Sequence, residues 1–408
     1  MRNPARVSRA HAVHARWGVT ALSFSHGAND MYMAFLPALL PVIALNLGLD
    51  YKAVGFLVSI VTLFSQLSQP LFGFLGDRLG RRSLAIAAPA VTALSVSFIG
   101  LASSYGLLLA LLIIGSASTS AFHPQAAALT GALARARRGL AMALFTAGGN
   151  VGFGVGAVLI AAVVAAFGVS RTWLTLPVGL ASGVLLARVL PRSVESPEAR
   201  SAERATPVRA SWLAPLFALY CVVMLRAATA TMFTTFVPLL INRRGEALLL
   251  GGYALLGFSL AGAVGGFAGG RLSEMMGRRA ITVAGLALTA PCLYLFLHTE
   301  GVLAGTFLFL SGACLFSALP VNIVMAQELL PRHASTVSGL IMGFAWGVGG
   351  LGATGLGAVA DYWSASMGEL SGLAQALDLV PLVCLAAALL GLALPKSTAR
   401  ERTLQEPA

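Results

Sequence analysis

The chain has 408 residues, 57% hydrophobic and only 10% charged, with a formal net charge of +12 and a mean hydropathy of +0.84. Soluble domains carry about 25% charged residues, so this composition excludes a water-soluble globular protein. The basic residues are scattered between apolar runs, which leaves no soluble basic domain to bind nucleic acid. The chain therefore reads as a polytopic helical membrane protein.

Before the first apolar run lie Arg2, Arg6, Arg9 and Arg16. The run from Trp17 is about 30 residues, too long for the apolar core of a signal peptide, and no small-residue cleavage site follows. It reads as a short cytoplasmic tail and an uncleaved first span. Apolar runs of about 20 residues mark spans, and twelve are expected, at 17–47, 53–75, 83–101, 105–131, 138–167, 172–190, 213–241, 249–272, 280–297, 301–328, 336–360 and 376–394. The segment 191–211 is charged, rich in Pro and Ser, and lacks apolar periodicity, so it reads as a cytoplasmic linker. The expected organisation is a six-helix bundle with tail over 1–190, the linker over 191–211, and a second six-helix bundle with tail over 212–408.

Arginine and lysine set orientation, because they collect on the cytoplasmic side. With the N-terminus inside, the outer loops hold only Lys52, Arg171, Arg243 and Arg244 of the 27 basic residues, and Arg226 falls within a span. Both termini are expected in the cytoplasm. Trp17, Trp173, Trp212 and Trp363 fall at span ends, as an interfacial aromatic belt requires, whereas Trp346 falls mid-span. Cys221, Cys292, Cys314 and Cys384 lie inside apolar runs at spacings that suit neither zinc nor a disulfide framework.

The first span carries His26-Gly27-Ala28-Asn29-Asp30. His26 and Asp30 are four apart and share a helix face. Asp30 lies about 20 Å into the span at 1.5 Å per residue, near mid-bilayer. A carboxylate there costs about 2.5 kcal/mol or more and marks a functional site by default. A histidine titrates near physiological pH, so His26 and Asp30 are candidate proton-coupling groups; a packed, hydrogen-bonded filler is the bland alternative for His26. Asn29 is a candidate substrate contact. Arg226 also lies near mid-bilayer in the seventh span, and the repeat alignment on Pro37 and Pro238 puts it about 7.5 Å nearer the cytoplasm than Asp30. Arginine stays charged and needs a partner, a watery cavity or an anionic ligand. Asp30 and Arg226 form either a structural ion pair or the working groups of a cavity, with proton chemistry at the first and anion attraction at the second. His123-Pro124-Gln125 puts polar groups beside a helix-weakening proline; His123 and Gln125 either line the cavity or accompany a kink. Asn150, among glycines of the fifth span, is a further cavity candidate. Gly148, Gly152 and Gly156 form a smooth stripe for close helix packing, which could also serve as a sliding surface.

The two halves repeat. Gly73-Phe-Leu-Gly-Asp77-Arg-Leu-Gly80-Arg81-Arg82 is echoed by Gly270-Arg-Leu-Ser-Glu274-Met-Met-Gly277-Arg278-Arg279. Pro37 matches Pro238, Pro124 matches Pro320, and the glycine-rich fifth span matches the glycine-rich eleventh. Two six-span halves in one orientation are parallel repeats, an architecture of alternating-access carriers.

GFLGDRLGRR resembles the signature loop of the major facilitator superfamily, and the likeness covers essentially the whole chain. HGAND and LPALLP in span 1, AFHP in span 4, RRGLAMALFTAGGNVGFGVG in span 5 and the arginine before FVPLL in span 7 resemble the fosmidomycin-resistance-like branch. The sequence departs from that branch at Gln125, where many members carry an acid. The resemblance implies an all-α membrane fold of twelve spans in two pseudo-symmetric halves, with spans 1 and 7 flanking a central cavity. It also implies a conformational latch at Gly73, Gly76, Asp77, Arg78, Gly80, Arg81 and Arg82, with a looser copy at Glu274 and Arg278.

No enzyme signature, ATP-binding loop or cofactor box is visible, so an ion or substrate gradient must supply the energy. The chain is expected to need no metal or cofactor. Its partners are protons, a small-molecule substrate and the bilayer, and it is expected to act as a monomer in the bacterial inner membrane. The leading expectation is a proton-coupled antiporter exporting a small compound, anionic if Arg226 meets it, such as a phosphonate antibiotic. The alternatives are a proton symporter importing an organic acid or other metabolite, and a membrane receptor that no longer transports.

Overall fold

The computed structural model describes residues 4–134, 138–191, 213–330 and 334–396, and leaves aside the side chains of 4–16, 77, 138–139 and 334–336. Residues 192–211 of the expected linker and most of the C-terminal tail lie outside the described residues. The rest is helical. Among the described residues, twelve helices are long and apolar enough to cross a membrane: span 1 Trp17–Leu47, span 2 Tyr51–Gly76, span 3 Arg81–Leu101, span 4 Tyr105–Ala134, span 5 Leu140–Phe167, span 6 Val169–Val189, span 7 Leu213–Arg243, span 8 Leu248–Met276, span 9 Arg278–His298, span 10 Gly301–Leu329, span 11 Val337–Met367 and span 12 Glu369–Gly391. All twelve expected spans are present, most with ends moved by a few residues; the largest shifts are at the end of span 11, Met367 rather than 360, and the start of span 12, Glu369 rather than 376.

The chain packs as two compact units. One comprises Met1–Leu36 with Leu67–Ala202, the other Pro37–Gln66 with Glu203–Ala408. The sequence repeat assigns residues 37–66 to the first half, yet they pack in the second unit. The change-over in span 1 coincides with a break in the helix: one helix ends at Met33 and the next begins at Phe35. Pro37 explains it, since its ring crowds the carbonyl four residues back, at Met33, and it has no N–H to donate there.

Within the first unit, the apolar core joins Leu22 of span 1, Ala85 of span 3, Phe122 of span 4, Phe145 of span 5 and Leu186 of span 6. Spans 1 and 5 approach backbone to backbone. A Cβ on Gly27 would lie 2.8 Å from the Gly148 carbonyl oxygen, and Cβ atoms on Gly148, Gly152 and Gly156 would run into the carbonyls of Ser23, Gly27 and Met31. The three glycines meet three residues at the same spacing of four, so the stripe read from sequence is the contact surface itself. Many large apolar side chains remain exposed, among them Phe24, Phe267 and Val302, as a lipid-facing surface requires.

Gly80 and Gly277 sit at matching points of the repeat with matching left-handed backbones, φ 91° and 90°. Each links the end of one span to the start of the next through a turn that L residues rarely adopt. After Gly80, Arg82 donates to the carbonyls of Ala187 (2.7 Å) and Leu190 (3.2 Å) at the end of span 6. These carbonyls have no partner within the helix, and a cation there also meets the negative end of the helix dipole. Arg82→Ala is expected to lower stability by about 1 kcal/mol, within the usual range for such bonds, read as a lower thermal midpoint in detergent. An unchanged midpoint would mean that the arginine serves topology alone.

Candidate functional site

The polar group of span 1 meets span 4. Asp30 Oδ2 lies 3.1 Å from His26 Nε2, and Asp30 Oδ1 lies 2.9 Å from His123 Nε2. His26 Nδ1 lies 2.7 Å from the carbonyl oxygen of Phe145 on span 5. The His26 ring also stacks on the Phe145 ring, with centroids 4.0 Å apart, and stands edge-on to His123 at 5.0 Å. Two histidines, on spans 1 and 4, thus hold one carboxylate, and Phe145 of span 5 holds one of the histidines.

Hydrogen-bond roles constrain the protons. A carbonyl only accepts, so His26 Nδ1 must carry hydrogen to bond Phe145. In the neutral ring Nε2 then offers only a lone pair, and it faces a carboxylate oxygen at 3.1 Å. Two acceptors do not bond, so a proton must lie between them, formally on either side. His123 supplies the other contact as an ordinary N–H donor. In that arrangement the pair holds one proton more than a neutral histidine beside a carboxylate. The three donor atoms lie within 4.8 Å of one another, close enough to surround a small cation. The separations of 2.9 and 3.1 Å are hydrogen-bond lengths, which fit the proton.

Gly149 makes room for this group. A Cβ there would stand 2.6 Å from His26 Cε1 and 2.7 Å from Asp30 Oδ2. Gly149→Ala is expected to impair transport at least about tenfold, because a misplacement of about 1 Å at a working site carries large penalties. Initial rates in reconstituted vesicles test this; wild-type rates would show that the triad tolerates displacement.

Other expected site residues lie elsewhere. Asn29 is fully buried, and its Oδ1 accepts from Thr92 on span 3 at 3.0 Å. It ties two helices, and only a 3.5 Å contact from Nδ2 reaches Asp30. Gln125 is also buried; it donates to the Phe72 carbonyl of span 2 at 2.8 Å. A Cβ on Gly76 would collide with its amide group, which accounts for one glycine of the signature loop. Gln125 is thus a strut between span 4 and the end of span 2. Asn150 is half-buried beside Gly149.

In the second unit, Arg226 is 1% exposed, the bulkiest fully buried side chain. Its Nε and Nη1 have no hydrogen-bond partner. Its guanidinium stands over the Trp346 ring, 4.9 Å from the centroid. This accounts for the one tryptophan that falls mid-span: it supplies a face to a buried cation, worth about 2 kcal/mol when desolvated. Trp346 follows a single π-helical turn, Leu340–Phe344, within span 11, and such turns recur at functional sites.

Of the latch residues, Arg78 stacks over Phe74 at 4.4 Å, and Arg81 also makes a contact. Gly73 has open space where a Cβ would point. The side chain of Asp77 lies outside the described residues. In the second copy, Arg278 bonds Ser273 Oγ at 2.8 Å and Glu328 Oε1 at 3.2 Å, while Glu274 is exposed. The acid that serves this arginine is therefore Glu328 of span 10.

Residues 22–354 match the family model described as Major Facilitator Superfamily. The chain is 30% identical to the fosmidomycin resistance protein of Escherichia coli (strain K12) over 355 residues, covering 84% of this chain and 86% of that protein. It is 28% identical to YfnC, an uncharacterized MFS-type transporter of Bacillus subtilis (strain 168), covering 83% and 85% of the two chains. Among solved structures, it resembles a bacterial homologue of the human lysosomal transporter Spinster, with TM-score 0.79, 16% identity and coverage of 93% and 96%. It also resembles the nucleoside transporter NupG, with TM-score 0.73, 12% identity and coverage of 92% and 98%. Twelve apolar helices, an internal repeat and a family match across most of the chain agree: this protein is a multi-pass membrane transporter of the Major Facilitator Superfamily, and not an enzyme.

Proposed function

We propose that the protein is a proton-coupled antiporter that exports a small anionic compound, of which fosmidomycin, a phosphonate antibiotic, is the first candidate. The observation that carries this reading is the Asp30 carboxylate held between His26 and His123. Such a group can take up and release a proton inside an apolar span. Arg226 supplies the complementary half, since a buried guanidinium with two unbonded nitrogens is built to receive an oxyanion, and its planar fork matches phosphonate or carboxylate oxygens. The likeness to a fosmidomycin resistance protein supports both the direction and the choice of anion. Lys and Arg asymmetry supports the bacterial inner membrane with both termini in the cytoplasm, and we take the monomer as the working unit.

Everted membrane vesicles test the proposal. An imposed proton gradient, acid inside, should drive fosmidomycin into everted vesicles that contain the protein, and a protonophore should stop it. Accumulation of an organic acid in right-side-out vesicles with an inward proton gradient, with no fosmidomycin transport in either orientation, would instead support an importing symporter.

A further inference from the structure

The segment 37–66 is bound to span 11 by a set of contacts that neither the signature loop nor the proton site explains. Span 2 begins at Tyr51, and a helix start leaves four backbone N–H groups without partners in the helix. Two are met locally: Ala53 N–H by Asp50 Oδ1 at 2.7 Å, and Val54 N–H by the Asp50 carbonyl at 3.1 Å. The other two, on Tyr51 and Lys52, donate to Asp361 Oδ1 (2.9 Å) and Oδ2 (2.8 Å). Asp361 belongs to span 11. One carboxylate thus completes the cap of a helix more than three hundred residues away in sequence, at the positive end of its dipole.

Further along the same contact, Ser59 Oγ donates to the Gly350 carbonyl at 2.8 Å and accepts from Thr354 Oγ1 at 2.8 Å. Glycines bring the backbones together: Cβ atoms on Gly55 and Gly357 would overlap the carbonyls of Ala353 and Tyr51. At the tip, Tyr51 Oη donates to the Glu369 carbonyl at 3.3 Å, and Glu369 pairs with Arg243. At its other end the segment begins at Pro37, beside the helix break at Ala34. A hinge lies at one end and a clasp at the other.

We infer that Asp361 is the clasp residue of a gate at the membrane face opposite the N-terminus, holding the ends of spans 1 and 2 on span 11 in one transport state and releasing them in the other. The contact suits release. It is made of backbone hydrogen bonds at a half-buried helix end, and when it parts, the Tyr51 and Lys52 N–H groups and the carboxylate pass to water rather than to lipid. The inference rests on membership of a carrier family and is independent of the proton and anion assignments.

The test places spin labels at Leu45 and Tyr362, both exposed, at 75% and 78%, in full-length protein whose four native cysteines are replaced. Distances are measured by double electron–electron resonance in lipid nanodiscs. Asp361→Asn keeps the shape but faces one N–H with an amide –NH2, so the closed state loses a cap. The long-distance population should rise relative to the short one by about tenfold, the equivalent of one helix cap, with an unchanged thermal midpoint. Ser59→Ala should shift the distribution the same way by a smaller factor. A folded Asp361→Asn variant with the wild-type distribution overturns the inference. If that variant does not fold, Ser59→Ala decides: a shift to longer distances upholds the clasp, and a wild-type distribution overturns it.

Discussion

Asp30→Asn is expected to abolish gradient-driven transport, with a fall of about a hundredfold or more, the scale on which a positioned proton-transfer group acts. Asparagine fills the same volume but neither takes up nor gives up a proton. Its amide can still bond one histidine, so the packing of spans 1, 4 and 5 should survive and the protein should express. Exchange of substrate down its own gradient should persist, because that exchange moves no proton. His26→Asn should do less harm, since the carboxylate and His123 remain at 2.9 Å. Comparing driven uptake with exchange in one set of proteoliposomes checks both variants. Loss of exchange together with driven uptake in Asp30→Asn would make the carboxylate a structural group.

Arg226→Met is expected to weaken anion binding while leaving the protein as stable as before, or more so. A hydrogen bond to a charged group contributes about 1.5–3 kcal/mol, which predicts a rise in Kd for fosmidomycin of roughly tenfold to a hundredfold. Stability should move the other way. A buried cation with two unbonded nitrogens is costly, and replacing buried charge with well-packed apolar groups is often neutral or stabilising, by about 1–4 kcal/mol. The thermal midpoint should therefore hold or rise. Arg226→Lys keeps the charge but loses the planar fork and the stacked face on Trp346, so it should recover only part of the affinity. Had the arginine been one half of a structural ion pair, either substitution would lower the midpoint by several degrees. Titration calorimetry and differential scanning of the same purified samples separate the two cases.

The fold was legible because each span is a long apolar run and because the two halves echo each other at Asp77 and Glu274, Pro37 and Pro238. His26 and Asp30 were legible because four-residue spacing on a helix fixes their common face. What a single chain does not display is contact between distant helices. His123 reaches Asp30 across 93 residues, and nothing local marks it out from a residue beside a kinked proline. Asn29 sits one residue from Asp30, yet a turn of 100° per residue carries it to the face that meets Thr92 rather than the triad. Gln125 reads from sequence as a cavity group beside a kinked proline, but an amide can donate to a helix carbonyl, and here it does so at Phe72. Glu274 aligned with Asp77 by repeat, while the partner of Arg278 came from span 10. The mid-span Trp346 was visible as an anomaly before its partner was known, and Arg226 accounts for it. Asp361 gave no such signal, because an acid at a span end is ordinary until the helix it caps is seen.

The central proposal is that substrate binding is coupled to release of the proton held at Asp30. The direct test is proton release on binding: fosmidomycin is added to purified wild-type protein in weakly buffered solution with a pH-sensitive dye. The account predicts release of protons in proportion to bound fosmidomycin, the loss of that release in Asp30→Asn, and its persistence in Asn150→Ala. Binding with no release in the wild type, or equal release from wild type and Asp30→Asn, would contradict it.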